Sequence, residues 1–432
     1  MNLRQNGFVL LVLMTLFAIA GQWAPDVADR HLWCLPAALL LLGMSYELLL
    51  VRSAAFELHW ESPPHWILAR SVAVSAGFSH HLARTIALEI APAAPDMVSL
   101  DRTIRTVAVP AGERSQLRLS AVPRRLGSGE FPAMRVRVAG TFGLAWWSRK
   151  LHDPRRFVVV PDMLTGPGRL AGAVTRGARQ SPLMGSGGQV VQLRDFRSGD
   201  SLRVIDWKAS ARRDRLISRE FSEDQHLDIL VGIDAGRASG IWCGELDRLG
   251  HYANVAARFA QFAIAQDDRV GLVIFGDRPM AALPPGRGTA AVTRIRRVLS
   301  TLRAQATDSN PIHAAARIRT LVRHRTLVIL LTDIEDAASG SQLAAAVRLL
   351  QPRHLPFIAG LTSDAADRYA REPAGSWLDP YRALASAETR LRRERSVLAL
   401  HAQGVPALVT RPEQLEGAIF NAYADFRRVR RI

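Results

Sequence analysis

Two long apolar runs near the N-terminus dominate the hydrophobic pattern of the chain. Residues 7–24, GFVLLVLMTLFAIAGQWA, carry no charge, and residues 33–51, WCLPAALLLLGMSYELLLV, contain Glu47 as their one acidic residue. A helix of about 20 apolar residues crosses the hydrocarbon core of a bilayer. The pattern therefore predicts a transmembrane helical hairpin over residues 1–52, with Glu47 close enough to its end to reach the membrane surface.

The charges around these runs predict how the hairpin is oriented. Arg4 and Arg52 flank its outer ends, whereas the connecting loop holds Asp26, Asp29 and Arg30. The arginines at the outer ends favour a cytoplasmic location for both ends and for the bulk of the chain. An alternative treats residues 1–20 as a signal peptide cleaved after AIA, which leaves the second run as a single span and the bulk of the chain again cytoplasmic.

From residue 53 to residue 163 the pattern changes to short apolar runs separated by Pro, Gly and charged residues. The runs of strand length are ARTIALEIA, RTIRTVAVPAG, SQLRLSAVP, AMRVRVAG and RRFVVVPD. Alternation with a period of two is typical of strands that are buried on one face. Residues 53–163 are therefore predicted to form a small all-β sandwich.

The remainder of the chain is predicted to form a Gly-rich linker and an α/β domain. Residues 164–192 are rich in Gly and small residues, as linkers are. In residues 193–432, apolar runs alternate with segments whose apolar residues recur three and four positions apart. The runs are LDILVGID (227–234), RVGLVIFGD (269–277), RTLVILLTD (325–333), LPFIAGLTSD (355–364) and VPALVTR (405–411). This order predicts an α/β doubly wound domain with a mainly parallel sheet.

Four of these runs end in aspartate, at residues 234, 277, 333 and 364. Ligands of open α/β sheets bind beyond the carboxyl ends of the strands, and magnesium prefers oxygen ligands. Asp234 and Asp333 are therefore candidate ligands of a hard cation. The alternative, which the spacing favours, is that these aspartates cap the helices that follow them.

Composition argues against nucleic acid as a partner. The formal net charge of +17 and the pI of about 11.2 suggest a polyanionic partner. Nearly all of the positive charge, however, is arginine scattered through the chain, with Lys150 and Lys208 as the only lysines. Scattered charge indicates solvated faces, so no nucleic acid is expected. Cys34 and Cys243 fit neither a metal-binding spacing nor a disulfide framework.

One segment, residues 193–221, combines charge, glycine and tryptophan: LRDFRSGDSLRVIDWKASARRDRLISREF. Planar guanidinium groups are suited to bidentate pairing with carboxylates, and Gly199 permits a tight turn. The favoured interpretation is a structural network of ion pairs that joins Arg194, Arg203 and Arg212 to Asp200 and Asp206. The alternative is that Lys208 and Arg212 face outward and bind an acidic loop or a phosphate on a partner.

Residues 185–221 resemble the signature of the bacterial domain of unknown function 58 (DUF58) family, a Gly-rich lead-in followed by a block of the type LRxYxxGDxxRxIDWKxSAR. The residues in register with this block are Leu193, Arg194, Gly199, Asp200, Arg203, Ile205, Asp206, Trp207, Lys208, Ser210, Ala211 and Arg212. Gln189 and Val190 stand where the family has Glu-Phe, and Phe196 stands where it has Tyr. The resemblance is therefore dense and specific.

The resemblance implies an architecture and a location. Family members commonly have an N-terminal membrane hairpin, a β-rich domain and a von Willebrand factor A-like α/β domain. In the β-rich part, TFGLAWWSR resembles the family's DPFGL segment, with Gly140 and Thr141 in place of Asp-Pro. The expected location is the bacterial inner (cytoplasmic) membrane, as a multi-pass protein with the bulk of the chain in the cytoplasm.

Von Willebrand factor A domains often bind a divalent metal through a DxSxS loop, a distant Thr and a later Asp. The resemblance places Asp234 at the first Asp, Thr289 at the Thr and Asp333 at the later Asp. Gly236 and Ala238 replace the two serines, so two hydroxyl ligands are missing. The implied magnesium site is degenerate, and no other cofactor is expected.

The resemblance also implies a partner class, because the family is typically paired with MoxR-type AAA+ ATPases that assemble or activate other proteins. The expected function is that of a membrane-anchored adaptor or scaffold whose cytoplasmic A-like domain binds partner proteins. No enzyme activity is expected, since the soluble part shows no nucleophile with a positioned base. Two alternatives stay open: a metal-dependent hydrolase that uses Asp234 and Asp333, and a basic domain that binds anionic lipid or nucleic acid.

Overall fold

The computed structural model of the chain describes residues 2–23, 26, 30–163, 184–197, 200–202, 205–222, 226–334, 337–362, 369 and 375–429. The contacts divide the chain into two units, Met1–Val160 and Pro161–Ile432. The first unit contains apolar helices and a sheet-rich region, and the second mixes helices with strands. The chain is therefore a multidomain α/β protein.

Strands dominate residues 56–160, and helices alternate with strands in the second unit. The helices are α1 (Gln5–Gly21), α2 (Cys34–Ser53), α3 (Trp207–Arg213), α4 (Arg248–Ala265), α5 (Gly288–Ser300), α6 (Pro311–Leu321), α7 (Ala337–Leu350), α8 (Asp379–Ala402) and α9 (Pro412–Val429). The strands of the first unit are β1 (Asn2–Leu3), β2 (Phe56–Glu61), β3 (His65–Ile67), β4 (Val72–His80), β5 (Ile86–Ala91), β6 (Val98–Leu100), β7 (Arg105–Val109), β8 (Ser115–Pro123), β9 (Gly127–Glu130), β10 (Met134–Ala139), β11 (Ala145–Leu151) and β12 (Arg156–Val160). Those of the second unit are β13 (Met184–Asp195), β14 (Ile217–Ser222), β15 (Asp228–Asp234), β16 (Trp242–Cys243), β17 (Leu246–Asp247), β18 (Arg269–Phe275), β19 (Pro279–Gly286), β20 (Leu327–Leu331), β21 (Leu355–Leu361) and β22 (Ala407–Thr410).

The sheet-rich region forms from the segments that the alternating pattern marks. The five segments predicted as strands contain β5, β7, β8, β10 and β12. Hydrogen bonds join the strands in the orders β1-β11-β10-β5-β7, β2-β4-β8-β6 and β3-β12-β9. Alternate residues are buried, for example Leu117, Leu119 and Ala121 of β8, because successive side chains of a strand point to opposite faces.

Four aromatic rings form the centre of the core of this region. Trp60 stacks on Phe131 with ring centroids 4.2 Å apart, and Trp66 stacks on Phe157 at 4.1 Å. The centroids of Phe131 and Phe157 are 5.3 Å apart, which joins the two pairs. All four side chains are buried, and rings of this size remove a large apolar area from water.

Among the described residues, α2 is the one helix that is long and apolar enough to cross a bilayer. α1 is shorter, with 17 residues, and it packs against α2. Both helices expose large apolar side chains, including Leu16 and Leu42. The structure therefore supports one candidate membrane anchor, and helix length does not support the predicted two-span hairpin.

Glu47, on α2, is held against the sheet of the first unit. Its side chain is fully buried. Its carboxylate accepts hydrogen bonds from the backbone N–H groups of Phe142, Leu144 and Ala145, at 2.8, 3.2 and 3.2 Å. The indole N–H of Trp147 donates a fourth hydrogen bond at 3.2 Å. These donors lie between β10 and β11 and at the start of β11, so Glu47 fixes α2 to the sheet.

The same turn requires glycine at two positions. A Cβ at Gly140 would overlap the carboxyl group of Glu47, so no larger residue fits while Glu47 occupies this space. Gly143 has a φ of 68°, which residues with a side chain rarely adopt. Glycine at residue 140, where the resemblance has aspartate, therefore has a steric reason, since α2 supplies the carboxylate around which the turn closes.

The second unit is built on a six-stranded sheet in the order β19-β18-β15-β20-β21-β22. All neighbouring pairs are parallel except β19 with β18, which is antiparallel at one edge. Every residue of β20 is buried, as expected for a parallel strand whose two faces are covered. α4 packs against α5 and α9, and α7 packs against α6 and α8.

The second unit differs from the sequence-based prediction at several elements. β13 begins at Met184, inside the segment 164–192 that was predicted as a linker, and pairs with β14. Residues 164–183 and Asp364 lie outside the described residues. β19 is not among the predicted strands. It contains three prolines, which a strand at the edge of a sheet tolerates.

Glu47→Ala is expected to destabilise the first unit by about 3 kcal/mol or more, because four donors in a buried turn lose their acceptor. Thermal unfolding of the full chain in mild detergent measures this loss, and limited proteolysis tests whether the turn after β10 becomes cleavable. Glu57→Ala is the control, since the side chain of Glu57 is mostly exposed. An unchanged unfolding temperature for Glu47→Ala would contradict this structural role.

Candidate functional site

The signature segment forms a hairpin with a short helix between its two strands. β13 and β14 are antiparallel, with Arg194 opposite Ser218 and Asp195 opposite Ile217. The chain between these strands contains α3. This arrangement brings Asp200 within hydrogen-bonding distance of Ser218.

Arg194 and Asp200 form a bidentate ion pair. Two hydrogen bonds of 2.8 Å join the guanidinium to the two carboxylate oxygens. Asp200 also accepts hydrogen bonds from the backbone N–H of Arg197 at 2.9 Å and from the hydroxyl of Ser218 at 3.2 Å. The Arg194 guanidinium, followed by these donors, holds the pKa of Asp200 well below its usual range. One ion pair of the network predicted from the sequence is therefore present.

Asp206 and Ser210 hold α3 against β14. The side chain of Asp206 caps the helix by accepting the N–H of Ala209 at 3.0 Å, a role for which aspartate is well suited. Arg219 of β14 lies 3.4 Å from the second carboxylate oxygen of Asp206. The Ser210 hydroxyl donates to the carbonyl of Asp206 at 2.7 Å and accepts from the N–H of Ile217 at 2.9 Å. One side of α3 is thus fixed by polar contacts.

The other side of α3 faces solvent. Trp207 is 65 % exposed, and Lys208 and Arg212 are exposed beside it. Leu202 and Leu216, which flank the helix in sequence, are also exposed. We call this set the α3 surface: Leu202, Trp207, Lys208, Arg212 and Leu216. It combines large apolar side chains with two cations.

The signature residues therefore separate into two groups. Polar contacts within the hairpin involve Arg194, Asp200, Asp206 and Ser210, and the exposed residues are Leu193, Trp207, Lys208, Ala211 and Arg212. Within the described residues, Arg212 makes no ion pair with Asp200 or Asp206, in contrast to the predicted network. Arg219, which the sequence analysis did not single out, pairs with Asp206 instead. Gly199 and Arg203 lie outside the described residues.

A second cluster surrounds Asp234 at the carboxyl end of β15. Asp234 is 1 % exposed. Its Oδ1 accepts the N–H of Gly236 at 2.8 Å, and its Oδ2 accepts the hydroxyls of Ser309 at 2.8 Å and Thr332 at 2.6 Å. Burial raises the pKa of the Asp234 carboxyl above its usual value, and the hydrogen bonds from these donors offset only part of that effect.

Asp333 follows β20 at the same edge and pairs with an arginine. Nη1 of Arg248 lies 2.5 Å from Oδ2 of Asp333. The side chain of Arg248, the first residue of α4, is 1 % exposed, and that of Asp333 is 16 % exposed. A buried guanidinium requires an opposite charge. Asp333 therefore compensates an internal cation.

The three residues predicted as metal ligands do not come together. Thr289 lies near the start of α5, after β19 has carried the chain from the carboxyl edge of the sheet back to its amino edge. Asp234 lies at the carboxyl edge, where protein donors occupy its oxygens, and Asp333 is paired with Arg248. In the described part of the chain, no group of three or more His, Cys, Asp or Glu residues could hold a metal ion. These residues do not fit the magnesium site that the resemblance implied.

Gly236 occupies the position where the metal-binding pattern has its first serine. A Cβ at Gly236 would lie 2.8 Å from the backbone nitrogen of Ser309 and 2.9 Å from its Cβ. Ser309 therefore fills this space and supplies a hydroxyl to Asp234. Ser309, Thr332 and Arg248 were not predicted from the sequence, because each lies 75 or more positions from its partner. The one local signal was the position of Thr332 directly before Asp333.

A comparison with protein families supports the identity of this region. Residues 192–363, which include the signature segment 193–221 and both Asp234 and Asp333, match the model of the family described as "Protein of unknown function DUF58". This part of the chain belongs to the DUF58 family. The match confirms the family expected from residues 185–221. The family description assigns no activity, so the function of this DUF58 protein has to be inferred from its geometry.

Solved structures resemble parts of the DUF58 protein. The conserved hypothetical protein BatB from Bacteroides thetaiotaomicron is 14 % identical, and the likeness covers 31 % of this chain and 66 % of BatB with a TM-score of 0.26. Native alpha-2-macroglobulin from Escherichia coli, from domain MG7 to the C-terminus, is 17 % identical over 25 % of this chain and 17 % of that one, with a TM-score of 0.21. The chain thus spans less than two thirds of either structure, and such TM-scores describe local likeness alone. None of the curated proteins compared with the chain matches it.

Asp234→Asn is expected to make the stability of the second unit less dependent on pH. In the wild type the folded state holds the Asp234 proton more tightly than the unfolded chain does. The protonated carboxyl of Asp234 therefore adds to the stability of the folded state. This contribution is fully present below the pKa of the carboxyl in the unfolded chain, about 3.9, and is lost as the pH rises through its higher pKa in the folded state. The wild-type free energy of unfolding should therefore fall, relative to that of Asp234→Asn, as the pH rises.

Urea unfolding of both full-length proteins in detergent, between about pH 4 and pH 8, measures this difference. Asp308→Asn is the control, because Asp308 is largely exposed and pairs with the exposed Arg237. It should show no such trend. A constant difference between the wild type and Asp234→Asn over the whole range would show that burial does not raise this pKa.

Arg194→Ala is expected to lower the unfolding temperature by several degrees, because the part-buried carboxylate of Asp200 loses its bidentate partner. The double variant Lys208→Ala, Arg212→Ala changes exposed residues of the same hairpin and should unfold at the wild-type temperature. Circular dichroism of the full chain in detergent measures both. Equal destabilisation of the two variants would refute the division of the signature into a structural and an exposed group.

Proposed function

We propose that this DUF58 protein is a membrane-anchored adaptor whose second unit, as a von Willebrand factor A-like domain, binds a partner protein. The proposed partner is a MoxR-type AAA+ ATPase, the class that the family resemblance implies, acting in the assembly or activation of other proteins. In this proposal α2 anchors the chain in the bacterial inner membrane, α1 accompanies it as the second helix of a hairpin, and the bulk of the chain is cytoplasmic.

The observation that carries the proposal is the α3 surface. Leu202 is 71 % exposed and Trp207 65 % exposed, although both side chains are large and apolar. Exposed large apolar side chains are common in protein-binding sites, and Trp and Arg contribute strongly to such interfaces. Because Asp206 and Ser210 already fix α3, the surface is preformed and little further ordering is needed on binding.

The charge of this surface favours an acidic partner. Lys208, Arg212 and Arg213 are exposed, and none of them pairs with a carboxylate among the residues that the structure describes. The nearby Arg215 differs, since it pairs with Asp195 at 3.0 Å. Uncompensated cations at the edge of an apolar patch attract and orient a negatively charged partner.

α8 provides a second reason to favour a protein partner. Leu384, Leu391 and Leu398 recur every seven residues along this helix and are exposed. Arg393 and Leu400, on the opposite side of the helix, are buried. A column of leucines with this spacing is typical of a helix that pairs with another helix. The column thus favours a partner that presents an amphipathic helix.

The hydrolase alternative has less support. A cation at Asp234 would need oxygen atoms that already accept hydrogen bonds from Gly236, Ser309 and Thr332. A cation at Asp333 would have to displace the guanidinium of Arg248. Both changes would leave buried groups without their partners, at a considerable cost in free energy. The adaptor proposal requires no such rearrangement.

Co-purification of the tagged full-length protein with a co-expressed MoxR-type AAA+ ATPase, in mild detergent, tests the proposal. The wild type should retain the ATPase, and Lys208→Ala, Arg212→Ala should retain about tenfold less, because two cations of the contact are lost. The matched control is Arg296→Ala, Arg297→Ala, which removes two exposed cations from α5. The control should bind as the wild type does.

The outcomes separate the parts of the proposal. If the wild type retains no ATPase, the proposed partner is wrong. If both double variants retain the ATPase equally well, the α3 surface is not the contact. If both lose it equally, the attraction depends on total charge and not on the signature. Circular dichroism of each variant ensures that any loss reflects the surface and not unfolding.

A further inference from the structure

A groove of about 420 Å³ lies on the first unit, at the face of the sheet formed by β5, β10 and β11. The side chains that matter among those lining it are Glu89, Ile104, Arg135, Arg137, Ser148 and Lys150. None of these residues belongs to the signature segment or to the carboxyl edge of the second unit. The groove is therefore a separate feature, which the adaptor proposal leaves without a role.

Two cations face each other across the strands of this groove. Arg135 of β10 stands directly opposite Lys150 of β11, and both side chains are exposed. Opposed residues of antiparallel strands have their Cβ atoms about 5 Å apart, so like charges at these positions repel each other. Within residues 30–163, which are described without a gap, neither cation pairs with a carboxylate. Arg137 differs, since it pairs with Glu89 at 3.0 Å.

An anion bound between Arg135 and Lys150 would attract both cations and so offset their mutual repulsion. The guanidinium group of arginine offers two parallel N–H donors, and the ammonium group of lysine offers a compact positive charge. Both are common partners of phosphate oxygens. Ser148 lies two residues before Lys150 on the same face of β11, which adds a hydroxyl donor beside the cations. We propose that the groove binds a phosphate group through Arg135, Lys150 and Ser148.

The position of β11 relative to α2 indicates where such a phosphate would come from. Trp147 donates to Glu47 of α2, and Arg149 donates to the carbonyls of Val51 and Arg52 in the last turn of the helix. β11 therefore runs beside the end of α2, and Lys150 lies at the level where the helix stops. If α2 spans the membrane, as the proposed function requires, this level corresponds to the lipid headgroups.

The outer face of β11 has the composition of a membrane-surface segment. Trp146 lies on the same face as Ser148 and Lys150, since side chains alternate along a strand. The guanidinium of Arg4 lies 4.6 Å from the centroid of the Trp146 ring. Tryptophan is enriched at the membrane surface, and arginine there interacts with anionic headgroups. A soluble phosphate ester would offer the same group, so an experiment has to distinguish the two sources.

The test uses the full-length protein in a neutral detergent, with isothermal titration calorimetry as the measurement. One arm titrates a short-chain phosphatidylglycerol, and a second arm titrates sodium phosphate. The pocket variant is Arg135→Gln, Lys150→Gln. The matched control is Arg102→Gln, Arg118→Gln, which removes the same charge from exposed positions elsewhere in the first unit. Because the variant removes a repulsion, its unfolding temperature should not fall below that of the wild type.

A lipid phosphate in the groove is supported if the wild type binds phosphatidylglycerol, the pocket variant binds it about tenfold more weakly, and the control binds it as the wild type does. The same pattern with sodium phosphate supports a soluble phosphate ester. The proposal is overturned if neither compound binds the wild type, or if the pocket variant binds as tightly as the wild type. It is also overturned if the control weakens binding as much as the pocket variant does. None of these outcomes depends on the ATPase, so the adaptor proposal can fail separately.

Discussion

A carboxylate or guanidinium that is removed from water is stable only when protein donors or an opposite charge replace the lost hydration. Each unit of this protein is organised around groups of this kind. In the first unit, Glu47 joins α2 to the turn before β11 through four donors. In the second unit, polar contacts join the segments at the carboxyl edge of the sheet. Asp234 bonds to Ser309 and Thr332, and Arg248 pairs with Asp333. The helices and loops around these charges take the positions that keep them compensated.

These buried groups also account for two glycines of the chain. A Cβ at Gly140 would overlap the carboxyl group of Glu47, which comes from α2. A Cβ at Gly236 would lie against Ser309, which comes from a distant segment and donates its hydroxyl to Asp234. In both places one group is supplied by a different part of the chain. Asp234 thus lies in a closed hydrogen-bonded cluster and has a structural role.

The surfaces that remain uncompensated are the ones that suggest binding. On the signature hairpin, polar contacts hold one side of α3 and leave Trp207, Lys208 and Arg212 exposed on the other. On the first unit, Arg135 and Lys150 face each other, and neither pairs with a carboxylate of the described residues. Rigid supports of this kind lower the ordering cost of binding. A protein that holds an acidic partner on one unit and a phosphate group on the other would fit the proposed role of a membrane-anchored adaptor.

Local periodicity in the sequence determined most of the elements: the apolar α2, the strands β5, β7, β8, β10 and β12, and the alternation of strands and helices in the second unit. The signature motif determined the DUF58 family. Only the tertiary structure decided which polar groups meet, because Arg248 and Asp333, or Asp234 and Thr332, are brought together by strand order and register over 85 and 98 positions of sequence. The same register separated Thr289 from Asp234, since the antiparallel β19 returns the chain to the opposite edge of the sheet. Periodicity reports which side of an element is buried, but it carries no information about the partner across the core.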